Sequence, residues 1–223
     1  NSLGKQELAP GEGGQVTLRF SSLPAPALSL GSKDIVLNFL ITGVPVDAVG
    51  QKPITVKETR TVRISSQVNF SAKVLRSLGS FANYGPIPPK AGEETSYTVV
   101  LSVGNNQGNL TDAKVVARLG PGVSWLGAPS SRDESFSMDS SSNTLTWNLG
   151  MLSSGSGFSS ATRELTFQIS LTPSLGQIGT VPSLVNSIIF SGRDVVSGDI
   201  VTVSNPPLTT RLTNDPAFIQ GDD

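Results

Sequence analysis

Apolar and polar residues alternate with a period of two along much of the chain, which predicts β-strands with one buried and one wet face. Val16, Leu18 and Phe20 are separated by Thr17 and Arg19. Tyr97, Val99, Leu101 and Val103 alternate with Thr98, Val100 and Ser102, and Ala113, Val115, Ala117 and Leu119 with Lys114, Val116 and Arg118. Leu165, Phe167, Ile169 and Leu171 repeat the pattern against Glu164, Thr166, Gln168 and Ser170. Small and polar clusters at Gly104 to Gly108, Gly120 to Gly122 and Ser153 to Gly157 suit hairpins and sheet-crossing connections. No segment sustains a 3.6-residue period. The stretch from Ile54 to Leu78, free of Gly and Pro, predicts two strands meeting near Ser65 and Ser66. The fold class expected is all-β, an antiparallel sandwich with Tyr97, Leu101, Val115, Leu145, Trp147, Phe167 and Ile169 in its core.

An internal repeat organises the chain, because Leu3 to Ile64 can be laid over Leu149 to Leu212 with small gaps. Leu3-Gly4 falls on Leu149-Gly150, and Val16, Leu18 and Phe20 fall on Leu165, Phe167 and Ile169. Val36-Leu37-Asn38 falls on Leu184-Val185-Asn186, Gly43 and Gly50 on Gly192 and Gly198, and Ile54-Thr55-Val56 on Val201-Thr202-Val203. Thr61 to Ile64 matches Thr209 to Leu212. The repeat predicts the C-terminal half of one module at 1–66, a complete module at 67–212 and a tail or linker at 213–223. Three strands, at about 15–20, 34–42 and 53–65, would leave an apolar face needing a cover. The expected source is sequence preceding Asn1, with another chain as the alternative.

Several fragments then resemble one family. Gly92 to Val99 is similar to its opening strand, Leu110 to Val115 to its second, Pro121 to Trp125 to the segment after that, and Leu145 to Gly150 to the strand before a Gly-rich turn. The family is the immunoglobulin-like conserved-repeat domain found in tandem in bacterial and archaeal surface proteins. Tyr84 to Lys90, Arg163 to Ser174 and Pro207 to Leu212 resemble surface proteins of candidate-phylum bacteria. The resemblance implies tandem immunoglobulin-like sandwiches at the cell surface, with neighbouring modules of the same polypeptide as partners, and it carries no catalytic residues.

Composition narrows the chemistry. The formal charge of −1, from 16 basic and 17 acidic residues, leaves no field to attract nucleic acid. The nearest approach to a basic stripe, Lys52, Lys57, Arg60, Arg63, Lys73 and Arg76, is read as protection of strand edges. No apolar run is long enough to span a bilayer, so no membrane insertion by this segment is expected, and a signal or anchor would lie outside this chain.

Zero His and zero Cys remove the commonest bases, thiol nucleophiles and metal ligands. Adjacent carboxylates at Glu93-Glu94, Asp133-Glu134 and Asp222-Asp223 point to opposite faces of an extended strand, the wrong arrangement for one substrate. The expectation is no enzyme, no cofactor and no metal. Gly11 to Gly14 precedes a strand and reads as a tight turn. The loop with Asp194, Gly198 and Asp199 misses any defined calcium spacing and reads as a hairpin. Lysines, asparagines and acids leave a Lys–Asn isopeptide crosslink open without showing which would meet. Among the aromatics, Trp147 and Tyr97 fall at core positions, while Trp125 and Tyr84 lie near loops and are the candidate binding surface. The expected function is a non-catalytic stalk or spacer of an extracellular, cell-surface protein. The alternative is a module that binds glycan or protein through its end loops.

Overall fold

The computed structural model describes residues 34–45, 50, 52–63, 66–127, 129–131 and 133–219, with residues 9, 11–13, 15 and 17 near the start. Two compact units divide the chain, Asn1–Gly31 and Ser32–Asp223. In the first, Glu12 N–H donates to the Ala9 carbonyl at 2.9 Å and Gly11 takes φ +81°, which makes a tight turn. Val16, Leu18 and Phe20 lie outside the described residues.

The second unit is built from β1 (Asp34–Gly43), β2 (Ile54–Arg63), β3 (Gln67–Leu75), β4 (Thr95–Gln107), β5 (Leu110–Leu119), β6 (Val123–Trp125), β7 (Ser135–Asp139), β8 (Thr144–Leu152), β9 (Arg163–Leu171), β10 (Ser183–Asp194), β11 (Ile200–Asn205) and β12 (Leu208–Thr209). Strands β3 to β12 form an antiparallel β-sandwich of immunoglobulin-like type. One sheet has the order β3-β4-β9-β6, and the other β11-β10-β5-β8-β7 with β12 pairing the start of β10. Strands β1 and β2 pair only with each other among the described residues.

Facing residues of the two sheets make the core, as the alternation requires. Tyr97, Val99, Val103, Leu165, Phe167, Ile169 and Phe190 are 0% exposed, and Leu101, Val115, Leu145 and Trp147 are 1%. Strand β5 keeps strict in–out alternation after Asp112, whose φ of +52° forms a bulge that slips the register between Leu110 and Ala113. Lys73, from the basic stripe, lies exposed on edge strand β3, and Lys57 and Arg60 lie exposed on β2.

Strands β4 and β9 differ from the expected half-buried pattern, since Thr98, Thr166 and Ser170 on their outer face are also buried. Other segments cover them. Asn83 Nδ2 donates to Thr98 Oγ1 at 2.9 Å, and Gln168 Nε2 donates to Asn83 Oδ1 at 3.0 Å, so 76–94 folds across the outside of the sheet. Beyond β6 the chain continues beside β9, with Leu126 N–H on the Gln168 carbonyl at 3.0 Å and Ser130 N–H on that of Thr166 at 2.8 Å. Thr98 is thus buried with its hydroxyl hydrogen-bonded, and the outer edge of β9 has its carbonyls at Thr166 and Gln168 paired.

Candidate functional site: an aspartate at each end of β3

Two buried aspartates hold the places where the chain joins and leaves the sandwich. Asp194 ends β10 and is 1% exposed. Its Oδ1 accepts from Val196 N–H at 2.8 Å and Ser197 N–H at 3.0 Å, which turns the loop back on itself. Its Oδ2 accepts from Ser66 N–H at 3.0 Å and from the Ser66 hydroxyl, fixing the residue just before β3. Gly108 is required beside this contact, because a Cβ there would sit 2.0 Å from Ser66 Oγ and the backbone takes φ +75°.

Asp215 repeats the arrangement at the other end, 6% exposed. Its Oδ1 accepts from Ala217 N–H at 3.0 Å and from the Ser77 hydroxyl, while Oδ2 accepts from the N–H groups of Arg76 and Ser77, the latter at 2.8 Å. Arg76 and Ser77 directly follow β3. Phe218, one turn on, packs against the core, so 213–219 returns to the sandwich.

Burial by itself would raise both carboxyl pKa values. Hydrogen bonds from Ser66, Ser197 and Val196 outweigh it at Asp194, and those from Ser77, Arg76 and Ala217 at Asp215, leaving each lowered to about 2. The nine residues of β3 separate the two clasps by about 30 Å at ~3.3 Å per residue. The polypeptide therefore joins at one end of the sandwich and leaves at the other. Asp194, the first acidic residue of the candidate calcium loop, has its carboxylate occupied by these four donors. Asp215 was missed in the sequence; its signal is Asp215-Pro216, an Asp followed by a turn-forming Pro.

The two candidate aromatics lie on different lines of one sheet. Tyr84 runs beside β4, its carbonyl accepting from Ser96 N–H at 2.9 Å, and Trp125 is on β6, with β9 between. Tyr84 is 48% exposed and its hydroxyl donates to Glu94, a contact that raises its pKa. Trp125 is half-buried, its ring edge-on to Phe136 at 5.4 Å, so most of that ring closes the core between β6 and β7.

Of the acidic pair Asp133-Glu134, Glu134 is tied to groups at the edge of the core. Glu134 accepts from the indole N–H of buried Trp147 at 2.8 Å and takes a two-pronged contact from Arg163, at 2.9 and 2.6 Å. Burial raises the Glu134 pKa, but Arg163 and Trp147 outweigh it and lower the value. That carboxylate neutralises and orients core-edge groups. The described lysines, Lys52, Lys57, Lys73, Lys90 and Lys114, are all exposed, whereas an intramolecular isopeptide needs a lysine buried beside its asparagine and acid. Among the described residues no cluster of three or more acidic residues is placed to hold a metal, and no helix is long and apolar enough to cross a membrane.

No family model matches the sequence, and no curated protein matches it. Among solved structures the chain is similar to BcpA, the major pilin subunit of Bacillus cereus. One crystal structure of it, a D312A form, gives 12% identity and a TM-score of 0.41 over 77% of this chain and 48% of that one. A second gives 9% identity and a TM-score of 0.41 over 69% and 49%. A GH20 exo-β-N-acetylglucosaminidase of Vibrio harveyi has 9% identity and a TM-score of 0.33, over 62% of this chain and 18% of that one. The chain thus spans about half the length of the pilin subunit and under a fifth of the glycosidase.

Proposed function

We propose that this chain is a non-catalytic spacer of a cell-surface protein, a sandwich whose role is to hold the segments on its two sides a fixed distance apart. The observation that carries this reading is the pair of clasps. A module that only displays loops has no need to fix its first and last residues, whereas a spacer transmits position through them. Asp194 and Asp215 each remove the freedom of a junction, at opposite ends of a rigid strand paired along its length with β4. Neighbouring immunoglobulin-like modules of the same polypeptide are the partners this geometry serves, and the surrounding compartment is extracellular.

The absence of cysteine makes a direct test clean. Spin labels at Gln67→Cys and Ala217→Cys, both exposed positions, should give one narrow distance near 30 Å, the span of β3. A broad or multi-peaked distribution would mean that the junctions hinge, and would remove the spacer reading. The rival reading, adhesion through Tyr84 and Trp125, is favoured by the exposure of Tyr84 alone. Reproducible signal on a glycan array, lost in a Tyr84→Ala variant that keeps its melting temperature, would put that reading in its place.

A further inference from the structure

The hairpin β1–β2 has two faces. One carries the hydrogen bond from Thr59 Oγ1 to Asn38 Oδ1 at 2.9 Å and the Thr42 and Thr55 hydroxyls 3.4 Å apart, together with Val36 and Leu40, 53% and 69% exposed. The other carries Phe39, Ile41, Ile54 and Val56 toward the turn, where Ile41, Ile54 and Val56 are 66%, 61% and 54% exposed, and the Glu58–Arg60 ion pair opposite Phe39 and Leu37 at its far end. A bare apolar patch at the turn end of a two-stranded sheet marks a surface that is covered in use.

The same chain holds a covered version of this hairpin. In β10–β11, Gly192 lies opposite Val201 and Phe190 opposite Val203. In β1–β2, Gly43 lies opposite Ile54 and Ile41 opposite Val56, which is the same register under the sequence repeat. Phe190, the counterpart of Ile41, is 0% exposed because β5 pairs along the other edge of β10 and the four-stranded sheet lies over the face, with Phe70 at 6.2 Å.

Edge chemistry names the side on which a cover adds. Strand β2 carries Lys57, Glu58 and Arg60, the charges that protect an open edge. Between Ile35 and Gly43, β1 carries none. A second copy of this chain is a poor occupant, since in each copy β5 and the four-stranded sheet already hold their own β10 and β11.

We propose that β1–β2 is the closing hairpin of another sandwich and docks onto a first half built like β3–β8, carried ahead of it on the same polypeptide. A β5-like strand adds antiparallel to the free edge of β1, placing a Val opposite Ile41 as Val115 lies opposite Phe190. This inference stands on the register and the exposed face, and it holds whether or not the molecule is a spacer.

The test compares the full chain with the same chain extended by residues 67–148 joined ahead of Leu3, the splice that the repeat sets by laying Leu149-Gly150 on Leu3-Gly4. In the full chain, light scattering should give a monomer, the β1 amides should exchange within seconds, and the dye ANS should fluoresce. Ile41→Lys should lower the dye signal and leave the melting temperature unchanged. Extension should slow β1 exchange at least ~100-fold and quench the dye, and Ile41→Asp in the extended chain should reverse both while β10 keeps its protection. A fall in melting temperature on Ile41→Lys, or protected β1 amides in the monomeric full chain, would show that the face is already covered and overturn the proposal. Protection that tracks a dimeric mass would assign the cover to a second copy and overturn it too, as would unchanged β1 exchange in an extended chain whose added segment is itself protected.

Discussion

Phe167 lies at 0% exposure with its ring 5.3 Å from Phe136 of the opposite sheet, so a carboxylate placed there has no water and no partner. Burying such a charge costs several kcal/mol, against roughly 5–15 kcal/mol holding a whole domain together. Phe167→Asp is therefore expected to abolish the cooperative thermal transition followed by circular dichroism. A melting curve like that of the parent would place residue 167 on the outer face and shift the in–out frame of β9 by one position. The neighbouring positions show how far a single residue can be read in advance. Alternation alone identifies Tyr97, Leu101 and Ile169 as core. Thr98 and Thr166 read as wet, because a period-two pattern reports which face is apolar and not whether a distant segment returns to cover the polar one.

At the level of elements, Gly120 marks where β5 must let β10 come close. A Cβ at this position would lie 1.9 Å from the Ser183 carbonyl oxygen, and the Gly120 N–H donates to the Leu184 carbonyl at 3.0 Å. Gly120→Ala has to push two paired strands apart, and a loss of about 2–3 kcal/mol is expected, read as a lower urea midpoint at unchanged slope. The strand inventory of the sandwich was legible because β-branched and aromatic runs are bounded by turn residues. Ile54 to Leu78 divides at Ser65-Ser66, and the structure places β2 and β3 on either side. The role of Ser66 was not legible: its partner, Asp194, is 128 positions away, and no local pattern carries a contact at that separation. Asp215 was hidden for the same reason, with Ser77 138 positions before it. What local sequence does show is each aspartate's own turn; the reach back to β3 exists only in the folded sheet order.

Over the whole molecule the two aspartates tie stability to pH. Each is a carboxyl whose pKa in the folded state, about 2, lies below its ordinary 3.8. A lowered value means the unfolded chain binds protons first, so the contribution is complete above about pH 4 and is lost as pH falls towards 2, on the order of 1–2 kcal/mol for each group. Thermal denaturation between pH 5 and 2 should show a steep fall in melting temperature over that window. Asp194→Asn combined with Asp215→Asn should lower the plateau and flatten the fall. A parent-like slope in the double variant would assign acid sensitivity to other carboxylates. The same layout decides how the molecule meets a pulling force. With the chain fixed at both ends of β3, tension between the junctions runs along the strand axis. Every hydrogen bond from β3 to β4 then resists at once, in shear, where a strand gripped at one end only would peel from its neighbour bond by bond.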